Sequence, residues 1–219
     1  MEKEFYSQFG QDRFLETEIF KGYKNGIFMD IGAHDGVTIN NTLYFEKENN
    51  WSGINIEPIK SVYDTLVINR AKNININCAI SNSNGEAEFI KNSGYTEMLS
   101  GLKSSYEPRH MNRLLSENVS YGGSTDIIIV KTRTVEDVCD EYYINYINYL
   151  SIDVEGGEFD VIKSINFNKV FIDVIGFENN YPDTSVEIIE YLESKHYVCI
   201  DKSGLDIFMI HKESVFKNN

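Results

Sequence analysis

Acidic residues and glycines are grouped here in a way that could bind a small-molecule cofactor. In the run DIGAHDG, Asp30 stands just before two glycines, Gly32 and Gly36. Glycines in a turn between a strand and a helix let the backbone approach a ligand closely, and the helix N-terminus attracts negative charge. A second acid, Glu57, ends the next apolar run, where a carboxylate typically accepts hydrogen bonds from ribose hydroxyls. The pattern predicts a cofactor that contains a nucleoside.

The same loop discriminates between two such cofactors. A dinucleotide site normally carries G-x-G-x-x-G, and this loop lacks the middle glycine. The carboxylate of Asp30 would repel a pyrophosphate but would help to hold the ammonium group of a methionine. The loop therefore favours S-adenosylmethionine over a nicotinamide dinucleotide. A glycine turn capped by Asp30 or Asp35, with no ligand, is the alternative that this segment alone leaves open.

The run SIDVEGGE forms a second acidic group, after another apolar stretch. In an open α/β sheet, ligands bind beyond the carboxyl ends of the strands, so Asp153 and Glu155 are predicted to lie beside the substrate. Together with His34 they are the candidate general bases that would remove a proton from an attacking hydroxyl. The alternative is that Glu155 and Glu158 cap the following helix, which is the interpretation favoured for Glu158.

A divalent metal ion is a further possibility at this edge of the sheet. Glu178 ends the apolar run VFIDVIGFE, so that Asp153 and Glu178 would stand at two adjacent strand ends. Carboxylate oxygens suit Mg²⁺ or Mn²⁺, and such an ion would orient vicinal hydroxyls and lower the pKa of the acceptor. The two positions are compatible with that geometry.

Three basic or titratable residues lie close together in a polar segment, residues 93–124. Arg109, His110 and Arg113 could contact a phosphate group of a nucleotide-linked substrate. Solvated loop charges are the alternative. The segment itself is poorly periodic and rich in Gly and Ser, which predicts a lid or substrate loop rather than a framework element.

Around these groups, apolar runs alternate with helical patterns. Strands separated by helices imply βαβ units and a mainly parallel sheet, to which the closing hairpin would add an antiparallel strand at one edge. Helices are predicted over 40–48, 61–70, 135–142, from Gly157 to Ile162, and over 185–195. Strands are predicted over 27–31, 52–57, 75–80, 86–90, 126–132, 147–154, 170–178, 197–201 and 206–211.

Composition limits the classes of function. The net charge is -14, from 20 basic and 34 acidic residues, which opposes binding to nucleic acid because phosphate contacts supply most of that affinity. No apolar run approaches the roughly 18 residues that span a bilayer, and the first residues lack a signal-peptide core, so we expect a cytoplasmic protein with no membrane insertion.

The 219 residues fit one domain, 1–219. The three cysteines predict neither a disulfide framework nor a zinc site. Homo-oligomerisation stays open.

The motifs SQFGQD, FMDIGAHDG and SIDVEGGE, in this order, resemble the FkbM family of methyltransferases. The resemblance extends over about residues 5–178. It implies an α/β, Rossmann-like class I methyltransferase fold, with a mainly parallel seven-stranded sheet and an antiparallel edge strand. It also implies O-methylation, dependent on S-adenosylmethionine, of a small acceptor: a sugar, a nucleotide-activated sugar or a glycan precursor. A polyketide-like hydroxyl is the alternative acceptor.

The resemblance also assigns cofactor contacts by position. The methionine part would lie against the loop after the first strand, the ribose against Glu57, and the adenine after the third strand. Gln11 would close over the cofactor, although SQFGQD also fits a helix N-terminus capped by Ser7 or Asp12. The residues expected around the cofactor are Gln11, Asp30, Gly32, Ala33, Asp35, Gly36, Glu57, Ala79 and Ile80.

Three rival functions are compatible with parts of this pattern. A nicotinamide-dependent oxidoreductase would use the same glycine loop. A nucleic-acid methyltransferase would need a basic face, and an amino-directed one would often carry Asn or Asp before Pro-Pro-Tyr, an order that residues 179–182 lack. A cofactor-binding protein without catalysis is the third rival.

Overall fold

The computed structural model describes residues 4–180, 183, 185–201 and 206–217. Eleven strands occur in this part of the chain, in two sheets. In chain order they are β1 (Ile27–Ile31), β2 (Ser52–Ile56), β3 (Ile74–Ile76), β4 (Ala79–Ile80), β5 (Gly85–Gly94), β6 (Gly101–Leu102), β7 (Gly123–Arg133), β8 (Tyr146–Ile152), β9 (Phe171–Glu178), β10 (Tyr197–Asp201) and β11 (Asp206–His211).

One helix precedes the first strand and the others lie between strands, and none of those described is both long and apolar enough to cross a membrane. The first, α1, continues as a π-helical segment over Leu15–Phe20. The α-helices are α1 (Gln11–Phe14), α2 (Leu43–Asn49), α3 (Lys60–Asn69), α4 (Pro108–Tyr121), α5 (Val135–Glu141), α6 (Glu158–Lys163) and α7 (Ser185–Ser194).

The main sheet has seven strands in the order β10-β11-β9-β8-β1-β2-β3. Strand β1 lies in its interior and pairs in parallel with β2 on one side and with β8 on the other. Strand β9 pairs in parallel with β8. Strands covered on both faces read as continuous apolar runs, which is why they were recognisable in the sequence. The predicted fold class, α/β with a mainly parallel seven-stranded sheet, is confirmed.

The closing hairpin differs from the prediction in one respect. The reversed strand is β11, which pairs antiparallel with both β9 and β10, so it lies one position inside the edge. The edge strand β10 therefore runs parallel to β9. After β9, the chain passes through α7 to the edge strand β10, and β11 then lies between β10 and β9. The turn predicted at Ser203 and Gly204 lies outside the described residues.

The side chains of β1 alternate between two hydrophobic layers. Met29 and Ile31 pack into the layer that also holds the buried faces of α5, α6 and α7. Phe28 packs on the opposite side, into an aromatic layer with Phe20 and Trp51. Each fully buried large apolar side chain contributes about 1.5–3 kcal/mol relative to an exposed one. The two layers fix the plane of the sheet, and with it the positions where its strands end.

A second sheet branches from the first after β3. The predicted strand 75–80 is in fact two short strands, β3 and β4, which belong to different sheets. The second sheet has the order β4-β7-β5-β6, and β5 pairs with β7 over the full length of β5. The strand predicted over 86–90 therefore extends further, because its partner β7 is equally long.

The segment 93–124 is not the polar loop that the sequence predicts. It contains two 3₁₀-helices, Glu97–Leu99 and Lys103–Ser105, the short strand β6 and the 14-residue helix α4. Proline at the first position suits the start of α4 because its missing N–H would have no partner there. The helix buries only His110 and Leu114, so it leaves little apolar periodicity to detect.

Helix α2 begins three residues later than predicted. The Asn40 side chain accepts hydrogen bonds from the backbone N–H groups of Thr42 and Leu43, at 3.0 and 2.8 Å. This local turn competes with helix formation over residues 40–42. It holds the chain that follows the glycine loop in a fixed, non-helical path.

Candidate functional site

A cavity of about 280 Å³ opens at the carboxyl ends of β1, β2 and β8. It is close to the lower end of the roughly 300–1,000 Å³ typical of small-molecule sites. Both acidic groups of the sequence reach it, as does part of the 93–124 segment. Of the residues assigned to the cofactor, those that line it are Asp30, Gly32, Ala33, Glu57, Ala79 and Ile80.

The loops after β1 and β8 touch each other at Gly32. This residue has φ +86, and a Cβ placed on it would lie 1.8 Å from the carbonyl oxygen of Asp153. The backbone N–H of Asp153 donates to the carbonyl of Ile31 at 3.0 Å, and those of Gly32 and Ala33 donate to Ile56. Glycine is therefore required here for close backbone packing. The contact joins the DIGAHDG and SIDVEGGE motifs into one site.

Asp30 is buried at the end of β1, with 3% of its surface exposed. Its carboxylate accepts hydrogen bonds from Asn40 Nδ2 at 2.9 Å and Thr42 Oγ1 at 2.8 Å. Burial raises the pKa of Asp30, while the positive charge of Arg70 and the two hydrogen bonds act in the opposite direction. The carboxylate thus lines the cavity in a fixed orientation.

Arg70 supports this loop from beneath and was not identified from the sequence. The side chain is fully buried and forms an ion pair with Glu46. Its Nη1 donates to the carbonyl of Gly36 and to Asn40 Oδ1, both at 3.0 Å, and its Nη2 donates to Thr42 Oγ1 at 3.1 Å. The guanidinium therefore fixes the backbone that carries the glycine loop. An arginine at the end of an amphipathic helix gives no signal of such a role.

Gly36 and Asp35 have local roles outside the cavity lining. A Cβ on Gly36, which has φ +77, would lie 2.5 Å from Cγ of Arg70. The Asp35 carboxylate accepts from the backbone N–H groups of Val37 and Thr38, at 2.9 and 2.7 Å. The structure thus gives Asp35 the capping role that the sequence analysis had left as an alternative.

Glu57 lies buried at the end of β2 and lines the cavity. One of its oxygens, Oε1, accepts a hydrogen bond from the backbone N–H of Ile59 at 2.7 Å. Burial raises the pKa of Glu57 to about 7. Its position matches the one expected for a contact to ribose.

The N-terminal motif reaches the cavity through different residues from the one predicted. Gln8 and Phe9 line it, whereas Gln11 does not. Gln11 Nε2 donates to Asp206 Oδ2 at 2.5 Å, and its Oε1 accepts from the backbone N–H of Phe9 at 2.8 Å. Gln11 therefore anchors the motif to β11 and holds Phe9 in place.

Gly10, and neither Ser7 nor Asp12, stands at the N-cap position of α1. Helix α1 begins after Gly10, with φ 83 and no side-chain hydrogen bond at the cap. Asp12 lies inside the helix and accepts from Tyr6 N–H at 2.6 Å and from Ser7 Oγ at 2.5 Å. Ser7 Oγ in turn accepts a hydrogen bond from the backbone N–H of Asp12 at 3.2 Å, and Asp12 Oδ1 accepts one from that of Arg13 at 2.8 Å, so both residues satisfy N–H groups of the first turn.

Three carboxylates meet where β8 and β9 end. One oxygen from each of Asp153, Glu155 and Glu178 lies within 4.8 Å of the others. Glu155 has φ 56 and Gly156 has φ 107, and this left-handed turn folds the chain back so that Glu155 joins the pair predicted from the sequence. We refer to Asp153, Glu155 and Glu178 as the acidic triad.

No lysine or arginine among the described residues forms an ion pair with the acidic triad, although the charge of Arg113 acts on Glu155 and Glu178 from a greater distance. Glu155 is buried, Glu178 is half-buried, and Asp153 is exposed in the cavity. Desolvation by the surrounding protein raises the pKa of each carboxyl group, and repulsion from neighbouring carboxylates adds to it. Glu178 Oε2 has no hydrogen-bond partner among the described residues. Hard oxygen donors in this arrangement suit Mg²⁺ or Mn²⁺. The donor set therefore fits the metal site predicted at Asp153 and Glu178, with Glu155 as an added ligand.

Two neighbours orient Glu155. His110 Nδ1 lies 3.6 Å from Glu155 Oε2, and Asn180 Nδ2 donates to the same oxygen at 3.4 Å. Burial lowers the pKa of His110. Asn180 was missed by the sequence analysis, although its place just after a strand that ends in Glu178 is a detectable signal.

The predicted phosphate-binding group does not converge on one point. Arg109 is on the outer side of α4, where it pairs with Asp183 at 2.9 Å and with Glu107 at 2.8 Å. Arg113 lines the cavity, but its Nε pairs with Glu117 at 2.8 Å. His110 points toward the acidic triad instead.

His34 and Glu158 complete the set of predicted residues. His34 lines the cavity with φ 50, and neither ring nitrogen has a hydrogen-bond partner among the described residues. Glu158 is the first residue of α6, and its carboxylate accepts from the backbone N–H of Gly156 at 3.0 Å. Glu158 thus has the helix-terminal role favoured from the sequence.

Comparison with solved structures finds methyltransferases. The methyltransferase FkbM of Methylobacillus flagellatus KT aligns with a TM-score of 0.52 and 12% identity, over 85% of this chain and 44% of the other. The chain thus spans less than half the length of that protein. A precorrin-6y C5,15-methyltransferase of Geobacter metallireducens GS-15 gives a TM-score of 0.47 at 11% identity, over 94% and 92% of the two chains. These likenesses concern the fold. A search of curated proteins found no match.

A family model gives the more specific result. The model described as the methyltransferase FkbM domain matches residues 30–199, most of the chain. The matched stretch begins at the acid before the glycine loop and contains the acidic triad. The chain therefore belongs to the FkbM family of methyltransferases.

Proposed function

We propose that this methyltransferase uses S-adenosylmethionine to methylate a hydroxyl oxygen of a small acceptor, most suitably a carbohydrate. The contact between Gly32 and Asp153 carries the proposal, because it joins a cofactor-type loop to a cluster of carboxylates in one cavity. A group that binds against the loop and an acceptor beside the triad would then lie next to each other. Alignment of two reactants supplies much of the acceleration in transfer reactions.

The lining of the cavity supports a sulfonium cofactor over a dinucleotide. Asp30 presents a carboxylate beside the glycine loop, where it would attract the ammonium of a methionine group and repel a pyrophosphate. Glu57 would accept hydrogen bonds from ribose hydroxyls. Ala79 and Ile80 give an apolar wall for adenine. His34 also lines the cavity, and its ring, whose nitrogens form no hydrogen bond among the described residues, would contact the carboxylate of the methionine part.

The acidic triad supports transfer to oxygen. S-adenosylmethionine, when bound, supplies an electrophilic methyl group on sulfur. A neutral hydroxyl is a poor nucleophile, and its proton has to leave as it attacks. Desolvation raises the pKa of Asp153 and of Glu155, and repulsion from neighbouring carboxylates adds to it, which makes either of them a better proton acceptor than an ordinary carboxylate. His34 is the further candidate base on the cofactor side.

We include a divalent cation in this proposal. Asp153, Glu155 and Glu178 would hold Mg²⁺ or Mn²⁺ by their oxygens, and the ion would balance a cluster in which three carboxylates lie close together. When bound, it supplies a positive charge that lowers the pKa of an adjacent hydroxyl. Vicinal hydroxyls of a sugar suit such a site, which is the reason to favour a carbohydrate over a polyketide-like acceptor.

The first prediction concerns the cofactor and its pH dependence. We expect S-adenosylhomocysteine, but not NAD, to bind with a Kd in the micromolar range in isothermal titration. Because the pKa of Glu57 is raised to about 7, acidification protonates it and removes an acceptor for the ribose hydroxyls. The affinity should therefore fall about tenfold between about pH 7.5 and about pH 5.5.

Two variants sharpen this titration. Glu57→Gln should weaken binding at neutral pH and remove the part of the pH dependence that Glu57 causes, since glutamine cannot titrate, while Asp30 and Asp153 remain in the same cavity. Glu48→Gln makes the same change at an exposed position on α2 and should behave like the unaltered protein. NAD binding in place of S-adenosylhomocysteine would support the oxidoreductase instead, and absence of both would leave a protein without this cofactor function.

The second prediction concerns the metal ion. We expect Mn²⁺ to bind with one site per chain, observed as loss of the free-ion signal in electron paramagnetic resonance. Methyl transfer should fall by at least about tenfold in EDTA and return with Mg²⁺ or Mn²⁺. Glu178→Gln should weaken Mn²⁺ binding because it removes one of three anionic ligands.

Glu193→Gln is the matched control for this experiment, because Glu193 is exposed on α7 and does not line the cavity. It should leave the resonance titration unchanged. Activity that survives EDTA, with no loss of the free Mn²⁺ signal, would remove the metal from the proposal and leave Asp153 or Glu155 as an unassisted base.

A further inference from the structure

A second cavity, of about 320 Å³, lies next to the cofactor cavity. Glu178 and Asn180 line both, so the two cavities meet at the acidic triad. Its walls include Ser105 from the 93–124 segment, Phe159 from α6 and Ile188 from α7. A molecule held there would reach the triad at Glu178, and no described residue of the glycine loop lines this cavity. This is the position that a methyl acceptor needs.

The lining of this cavity is strongly acidic. None of its described lining residues is a lysine or an arginine. Arg109 lies near its rim, but it is paired with both Glu107 and Asp183 and offsets only part of their charge. The carboxylates that line the cavity are Glu107, Glu158, Glu178, Asp183 and Glu187.

A buried imidazole gives a second, independent indication of a ligand. His110 lines the same cavity with only 3% of its surface exposed. Its Nδ1 faces Glu155, and its Nε2 has no hydrogen-bond partner among the described residues. Buried polar atoms are nearly always paired, so an orphaned one marks the place of a missing partner. A hydroxyl or amino group of a bound molecule would supply that partner.

We propose that this second cavity binds the acceptor, and that the acceptor carries an ammonium group and no phosphate, as an amino sugar does. The inference rests on the proposed O-methyl transfer for its chemistry. Carboxylates attract an ammonium group and repel a phosphate, while His110 and Asn180 offer hydrogen bonds to hydroxyls. Phe159 and Ile188 give the apolar contacts that a sugar ring also needs.

In the proposed methyl transfer, every bond that forms is matched by one that breaks. A hydroxyl oxygen of the amino sugar forms a bond to the methyl carbon as the bond from that carbon to sulfur breaks. The sulfonium becomes the neutral thioether of S-adenosylhomocysteine. The hydroxyl proton passes to a carboxylate of the acidic triad. The ammonium group stays protonated and does not react, because the carboxylates around it stabilise its charge.

Binding of three matched sugars tests this inference. Saturation-transfer NMR with the full-length protein and S-adenosylhomocysteine would compare glucosamine, glucose and glucose 6-phosphate. We expect glucosamine to bind best and glucose 6-phosphate worst. Glu187→Lys should shift the ratio of the first to the last by about fivefold or more toward the phosphate, as expected when an exposed charge is reversed. Glu190→Lys, on the same helix but outside the cavity, should leave the ratio unchanged.

Three results of the sugar-binding experiment would contradict the proposed acceptor. Equal or tighter binding of glucose 6-phosphate, a ratio that Glu187→Lys does not alter, or binding of none of the three sugars would overturn the inference. Titration with S-adenosylhomocysteine alone reports separately on the proposed function. If the protein binds S-adenosylhomocysteine but prefers glucose 6-phosphate, only the proposed class of acceptor is wrong. If it does not bind S-adenosylhomocysteine but prefers glucosamine, the second cavity is a sugar site and the proposed methyl transfer is wrong.

Discussion

Asp153→Asn is expected to lower kcat/KM for methyl transfer by about a thousandfold, which is the scale seen when a central acid–base or electrostatic group is removed. Asp153 lies at the point where the glycine loop, the acidic triad and the end of β8 meet. Asparagine keeps the size of the side chain but cannot accept the proton and is a weaker metal ligand. The measurement is the rate of S-adenosylhomocysteine formation at saturating cofactor.

Asp160→Asn provides the control for this variant. Asp160 lies on α6, where it pairs with Lys163 at 2.8 Å, and it lines neither cavity. It should retain full activity. If Asp153→Asn remained within about threefold of the unaltered enzyme, proton removal and metal binding would have to be assigned to other residues. Binding of S-adenosylhomocysteine to Asp153→Asn should persist, which separates lost chemistry from a lost fold.

Gly32→Ala is expected to reduce the free energy of unfolding by about 3–5 kcal/mol, as measured by urea denaturation. Two costs add at this position. The residue has φ +86, and the new Cβ would lie 1.8 Å from the carbonyl oxygen of Asp153, so backbone has to move. The displaced loop would also carry Asp30 and Asp153 apart, so cofactor binding should be lost in whatever protein still folds.

Gly10→Ala separates these two costs. Gly10 has a nearly identical φ of +83, but nothing lies within 4 Å of a Cβ placed there. Only the backbone conformation is penalised, so we expect a loss of about 1–2 kcal/mol. Equal losses for the two variants would mean that the approach of Gly32 to Asp153 has no energetic importance, and the geometric link between the two motifs would have to be abandoned.

The central strands were predictable because of where they lie. Strands β8 and β9 are covered on both faces, so their sequences are continuous apolar runs with clear ends. The acids at those ends were predictable for the same reason: parallel strands deliver their carboxyl ends to one edge. Asp153 and Glu178 could therefore be paired from the sequence, while Glu155 required the left-handed turn at φ 56 to bring it into the same cluster.

The second sheet and α4 were not predictable in this way. Most of β7 from Gly123 to Ile129 is exposed, and α4 buries only two side chains, so neither has a strong apolar period. The break between β3 and β4 is also invisible, because the residues between them read as part of one strand. His110 and Arg70 reach the site by tertiary packing, for which the sequence holds no local signal.

The location of β1 between β2 and β8 bears on how the chain reaches its native state. Phe28 is in register with Gly53 on one side and with Tyr149 on the other, so one of the two pairings joins distant parts of the chain. Contacts between distant segments slow folding because a long loop must close before they form. During synthesis, β1 to β3 emerge first and leave an apolar strand edge open until β8 arrives. The unpaired edge of β1 therefore makes the partly synthesised chain susceptible to aggregation before β8 is available.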